Sequence, residues 1–383
     1  MVRAVAVLIA IIMGLGCFFT SGEALGVAAR AAILMDVNSG RVLYGKNIHS
    51  RLPMASLTKI MTALLAAESG KLDELVTVQE EWITVPPSNI WLTAGESISL
   101  RNLVYGLLLR SGNDAAMSIA YFLAGGVAPF SQAMNKRAKE LGALDTNFSN
   151  PHGLHARDHY STAYDLALIT RSLLHNPFLR SVVRTERFDS RRYGGDVPRI
   201  WHNKNRLLQM EEQADGIKTA WTVAAGHCFA ASATRHGWQL LSIVLNSPNH
   251  YGESRSLLSF GFANYAPTLV VPRGLFQGQV SVPGGEPSLV GVVAAQDLWW
   301  VQGHREEPAA EAEVQVILPK FLKPPIALAQ VLGELTVSSR GELWGRVELI
   351  SDTVVREASL WRQLLRQVRD YVQFVNWPFT PAL

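Results

Sequence analysis

Ser56 and Lys59 are the first pair in this chain whose types and spacing could do covalent chemistry. Three residues apart, they fall on one turn of a helix and point the same way. A serine at a helix N-terminus gains from the partial positive charge there, and a partly desolvated lysine can be neutral enough to act as a base. The spacing alone is a weak signal, because about one chance Ser-x-x-Lys is expected in a chain this long. Its plain structural reading is a first-turn serine followed by a solvated lysine. Two later clusters change that balance. Ser111-Gly112-Asn113 separates two helix-like stretches, and Lys218-Thr219-Ala220 lies just before a predicted strand bearing Phe229 and Ala231. The three clusters together are far less expected by chance than any one of them.

In this order the clusters match the Ser-x-x-Lys, Ser-x-Asn and Lys-Thr-Gly elements of penicillin-interacting serine enzymes. The chain resembles the serine-type D-alanyl-D-alanine carboxypeptidases, the low-molecular-mass penicillin-binding proteins. The resemblance extends around each cluster: Pro53 to Ala63, Leu109 to Ala116, Asn150-Pro151-His152-Gly153-Leu154, His159 to Ala167, and Asp215-Gly216-Ile217-Lys218-Thr219. It implies that Ser56 attacks the carbonyl between two D-alanines of a peptidoglycan stem peptide and that Lys59 takes its proton. Ser111 is then expected to relay a proton to the departing D-alanine, and Asn113 to hold Lys59 and the substrate amide. Lys218 and Thr219 are expected to grip the terminal carboxylate, with Lys204 adding positive charge nearby. Backbone N–H groups of Ser56 and Trp221 are expected to form an oxyanion hole. Water releases the acyl group, so no metal or cofactor is called for, and β-lactams are the expected inhibitors.

One residue departs from the pattern. Ala220 stands where the family usually has glycine, whose lack of a side chain lets a strand backbone approach a substrate alongside it. Ala220 motivates one rival reading, a non-catalytic or impaired cell-wall scaffold on the same fold. A β-lactamase is a second rival, but residues 150–154 lack a glutamate to drive deacylation and the second cluster has Gly112 rather than Asp. A cross-link endopeptidase is a third, and the chain shows no room for the large insertion such enzymes often carry.

The elements that must position these residues are legible as patterns. Apolar residues 32–35, turn chemistry at 36–40 and a resumed run at 41–44 predict strand, turn, strand. Ile60, Met61, Leu64, Leu65 and Glu68 predict a helix stopped by Gly70. Further helices are expected over 100–109, 115–123, 131–141 and 161–174, the last capped by Ser161 or Thr162. Strands are expected over 228–234 and 238–245. The fold class is thus α+β, and the resemblance makes residues 25–265 a three-layer penicillin-binding/β-lactamase-like catalytic domain. Residues 266–350 are rich in glycine and proline, with strands expected at 314–318, 328–337 and 343–349, and predict a small β-rich domain. Over 351–383, Val354, Ala358, Trp361, Leu364, Leu365, Val368, Val372 and Val375 share one helical face edged by arginines. This suits an amphipathic helix lying on a membrane surface, or one packed on the protein's own domains.

Length and composition are consistent with this reading. At 383 residues and 48% hydrophobic, the chain is long enough for two packed cores and is not mainly disordered. Its 35 Lys+Arg against 32 Asp+Glu leave +3, too balanced for a nucleic-acid binder. Arg3, an apolar run from Ala4 to Gly16 and small residues at 22–24 predict a secretory signal peptide over 1–24. Cleavage after Ala29 fits almost as well, and an uncleaved anchor or lipidation at Cys17 are weaker alternatives. Export to the outer face of the cytoplasmic membrane follows as the expectation. With Cys17 removed, Cys228 has no intrachain partner, which excludes a disulfide scaffold; its apolar neighbours suggest a buried small residue.

Overall fold

The computed structural model describes residues 25–304, 312–339, 342–362 and 364, so the proposed signal segment and most of the proposed tail lie outside the described residues. The chain divides into two compact units at Tyr265/Ala266.

The first unit is built on a five-stranded antiparallel sheet. Its strands are β1 (Ala31–Asp36), β2 (Val42–Lys46), β3 (Ala214–Thr222), β4 (Gly226–Arg235) and β5 (Trp238–Leu245), in the order β2-β1-β5-β4-β3. The triplet Lys218-Thr219-Ala220 precedes the expected strand bearing Phe229 and Ala231, which is β4, but it also lies in the middle of a strand the sequence did not indicate, edge strand β3, paired with Phe229 and its neighbours. Side chains alternate across a strand, so each face of the sheet can bury its own layer. Ile33, Met35, Leu241 and Ile243 join the core shared with the helices α1 (Lys59–Glu68), α2 (Leu100–Tyr105), α3 (Asn113–Ala124), α4 (Val127–Glu140), α5 (Ala163–His175) and α6 (Pro177–Arg184). The other face carries Leu34 and Leu240, which press against Gly261 of α7 (His250–Asn264); a Cβ there would meet them at 2.8 and 2.5 Å. Helices, sheet and helix make the expected three layers.

The helices follow their sequence signals with shifted ends. Thr162 caps α5 by accepting from the Asp165 N–H at 3.0 Å. The expected 100–109 helix is α2 followed by a wider π-type turn over Gly106–Arg110, which closes just before Ser111.

The second unit contains a separate five-stranded sheet of β6 (Phe276–Ser281), β7 (Leu289–Ala294), β8 (Glu313–Ile317), β9 (Val331–Ser339) and β10 (Glu342–Ser351), ordered β6-β7-β10-β9-β8. Val290, Val292, Leu335, Val347 and the stacked rings of Trp300 and Trp344 fill its core. The start of the expected tail helix is not helical. Val355 is buried in this core, Arg356–Glu357 pairs as a short strand with Gly285–Glu286, and Ala358 N–H donates to Gly284 O at 2.8 Å. The helical period of residues 354–365 is local, whereas Val355 is paired with Ile326 and residues 356–358 are claimed by the 284–286 segment further upstream. Helical residues begin at Leu360, and Leu360 and Trp361 are exposed.

Candidate active site

Ser56 sits in a tight 3-10 turn, Ala55–Thr58, that runs directly into α1. The turn is entered through Ala55 at φ +48°, a left-handed conformation unusual for a residue with a Cβ. It is held from outside by Gly153, at φ +90°, where a Cβ would lie 2.0 Å from Ala55 O; no side chain fits there. Thr58 Oγ1 donates to Ala55 O at 2.8 Å and lies 2.8 Å from His159 Nε2. His159 Nδ1 accepts from the Ser149 N–H at 3.0 Å, so its proton is on Nε2 and is donated to Thr58. Burial pushes His159 down to about 4, which keeps this ring neutral.

Lys59 is completely buried. Its Nζ lies 3.0 Å from Ser56 Oγ, 2.7 Å from Asn113 Oδ1 and 2.6 Å from His152 O. Burial, and then the nearby Lys218 cation, hold the Lys59 ammonium well below the ordinary lysine range. This has a geometric consequence. Asn113 Oδ1 and His152 O can only accept, so a neutral amine spends both N–H groups on them. Its lone pair is then left facing Ser56 Oγ, where it can receive the serine proton. The Asn113 amide is oriented by its other end, whose Nδ2 donates to Pro86 O at 2.6 Å. That donor, expected for substrate, is thus engaged by the protein.

Ser111 is buried at φ +64°, immediately after the π-type turn, and Gly112 leads into Asn113 at the start of α3. A Cβ on Gly112 would meet Asp114 Oδ1 at 2.8 Å and Ile90 Cγ2 at 2.9 Å. The loop through residues 86–92 is tied to this motif. Asn113 N–H donates to Ser88 O at 2.6 Å, and the buried Asp114 carboxylate accepts from Ile90 N–H at 3.0 Å and Leu92 N–H at 3.2 Å. Neither Asp114 nor this loop was singled out from sequence, because their role is to hold backbone groups, which leave no residue signature.

Edge strand β3 packs beside the Ser56 turn. Lys218 is buried, and burial with the Lys204 charge pushes its ammonium down to about 7. Its Nζ donates to Thr219 O at 2.9 Å. Lys204 reaches Ser88 Oγ at 3.2 Å, and its own N–H donates to Leu109 O at 3.0 Å, which seats it against the 86–92 loop. Ala220 is 7% exposed, belongs to the inner core and lies across the ladder from the fully buried Cys228. Its methyl group therefore points into the protein rather than along the open edge. Cys228 Sγ lies 3.9 Å from Pro53 O, beneath the Ser56 turn, and burial raises the thiol to about 11. The structure thus places Ser56 and Asn113 both against the Lys59 amine, with Lys218, Thr219 and Trp221 on the strand beside the Ser56 turn.

A serine against a buried lysine, between a helical layer and an edge strand, marks a serine-type hydrolase that works through an acyl-enzyme. Residues 19–249 match the D-alanyl-D-alanine carboxypeptidase family. D-alanyl-D-alanine carboxypeptidase DacF of Bacillus subtilis is 29% identical over 90% of this chain and 90% of its own. DacD of Salmonella typhimurium is 32% identical over 91% of this chain and 90% of its own. Penicillin binding protein 5 from Haemophilus influenzae superposes with a TM-score of 0.67 at 29% identity, covering 86% of this chain and 98% of that one. The chain belongs to the D-alanyl-D-alanine carboxypeptidase family of serine peptidases.

Proposed function

We propose that this chain removes the terminal D-alanine from peptidoglycan stem pentapeptides through an acyl-enzyme on Ser56. Lys59 accepts the Ser56 proton as Oγ attacks the penultimate D-alanyl carbonyl. The Ser56 and Trp221 N–H groups receive the oxyanion, a contribution worth about 3–4 kcal/mol in other hydrolases. As the C–N bond breaks, Ser111 passes a proton to the leaving D-alanine. Water then adds to the ester and regenerates Ser56, leaving the shortened peptide as a carboxylate. Lys218 and Thr219 hold the substrate's terminal carboxylate, and Lys204 adds field from the loop side.

The observation that carries this reading is the fully buried Lys59 amine 3.0 Å from Ser56 Oγ, in surroundings that disfavour its charged form. The inward methyl of Ala220 weighs against an impaired scaffold, because the groove side of β3 keeps its backbone open. Family membership and the proposed signal segment favour action outside the cytoplasmic membrane. Peripheral anchoring through residues beyond Ala358 completes the proposal, and exposed Leu360 and Trp361 at its start fit a membrane surface.

The test is incubation of the purified protein with a fluorescent penicillin and with a D-alanyl-D-alanine peptide. Labelling plus D-alanine release, both abolished by Ser56→Ala, is the expected result. Labelling that persists in that variant would remove Ser56 from its role, and labelling without release would leave an acylating protein that does not use peptide.

A further inference from the structure

Residues 318–330 connect β8 to β9, and within them Pro319-Lys320-Phe321-Leu322-Lys323-Pro324 sets an aromatic ring between two cations. Phe321 is 60% exposed, and Lys320 and Lys323 are exposed beside it. Among the described residues neither lysine is paired with a carboxylate. The backbone under the ring is braced. Phe321 bridges in parallel to Ser281 at the end of β6, and the Leu322 N–H donates to Ser281 O at 2.9 Å. Leu322 packs against the core of the second unit, while its neighbour Phe321 stays in solvent. Ile326 is buried and exchanges backbone hydrogen bonds with Val355 at 2.8 and 3.0 Å. Pro319 and Pro324 fix φ on either side of the ring.

A single exposed ring is ordinary surface, so its neighbours decide what it means. Gly284, three residues beyond Ser281, accepts from the Ala358 N–H, which puts the two attachment points at most about 11 Å apart along the chain. Just past Ala358 come Leu360, Trp361 and Leu364, all exposed. The short segment 281–284 thus seats Phe321 at one end and the start of the proposed anchor at the other. Charge points the same way. Glu286 on this segment is taken by Arg362, which leaves Lys320, Lys323 and Arg356 to outweigh the exposed Glu357.

Apolar rings edged by lysines fit the surface of an anionic bilayer, where aromatic side chains settle among the headgroups and lysines are drawn to phosphates. We propose that the Lys320–Lys323 loop is a second membrane contact, separate from the tail: Phe321 enters the headgroup layer and the two lysines lie against its phosphates. One ring and two lysines are too little for stable attachment, so the loop orients what the anchor holds. Two points of contact fix the tilt of the second unit, where one would leave it free to swing. The inference rests on the anchoring reading above.

The test is co-sedimentation of the full chain with phosphatidylcholine vesicles, with and without phosphatidylglycerol. The unaltered protein is expected to bind the anionic vesicles more tightly. Phe321→Ser should weaken that binding about tenfold, and Phe321→Leu, which stays apolar, should keep most of it. Lys320→Gln combined with Lys323→Gln should cost about twentyfold on anionic vesicles and little on neutral ones. That anionic-to-neutral ratio is internal to each variant, so a general loss of folded protein does not imitate it. Undiminished binding in either the serine or the glutamine variant would overturn the loop contact and leave the tail as the whole attachment. Binding of the unaltered protein to neither kind of vesicle would overturn the anchoring reading itself.

Discussion

Two buried lysines, Lys59 three residues after Ser56 and Lys218 on the strand packed beside its turn, have different tasks in the proposed reaction. In the proposal Lys59, lowered by burial, takes a proton, while Lys218 must be charged to hold a carboxylate, and burial pushes its ammonium down to about 7. A lowered lysine is charged only on the acid side of its shifted value. Capture of the free carboxylate is therefore expected to weaken as pH rises through about 7. Lys218→Arg, always charged, should move this alkaline loss in kcat/KM upward, and an unmoved limb would assign the titration elsewhere. Gly153 sets a steric limit at the same scale. Gly153→Ala places a methyl 2.0 Å from Ala55 O, whereas Gly70→Ala, at a similar positive φ, meets open space. The first should cost about 3 kcal/mol in denaturant unfolding and the second about 1 kcal/mol; equal losses would reduce the Gly153 effect to backbone strain. The serine, lysines and asparagine were legible in sequence because the proposed chemistry falls on their side chains. His152 was legible only as part of a motif, since what it contributes to Lys59 is its carbonyl.

At the level of elements, position within a strand decides what a substitution means. Ala220 breaks the glycine pattern, but it shares the inner face with Lys218 and meets Cys228 across the ladder. Ala220→Gly is accordingly expected to change penicillin acylation by less than about threefold, within the range of a well-tolerated volume change. A gain near a hundredfold would show that the methyl obstructs the groove after all. Sequence could flag this residue but not its direction, because β3 gives little strand signal: Asp215 to Trp221 lacks the apolar run that marks β5. The left-handed Ile217 at φ +96° further disturbs the strand's period. Residues 276–281, Phe-Gln-Gly-Gln-Val-Ser, give only a weak strand signal because Gly278 has no side chain to mark a face and the register shifts beside it. The helix pattern at 354–358 was overruled by pairing with a distant strand, a tertiary preference that local periodicity does not contain.

For the whole molecule, the division at Tyr265/Ala266 leaves every residue of the proposed site in one unit with its own core. A chain ending at Tyr265 should still be labelled by penicillin, and failure to label in a folded fragment would show that the second unit completes the site. Truncation to test anchoring belongs after Ala358. Removing 359–383 should release the protein from membranes with labelling intact, whereas a cut at Val354 also removes Val355 from the second core. Retained membrane binding after the shorter cut would end the anchor proposal. The composition and glycine-rich turns indicated two cores, but not where the second one closes. Cys228 adds a use for the fold as an instrument. Its thiol lies under the Ser56 turn, fully covered and raised to about 11, so a thiol-reactive dye reaches it only when the sheet and the turn separate. The rate of dye uptake then acts as a clock for that opening, and its slowing after acylation measures how tightly an occupied serine locks the two layers together.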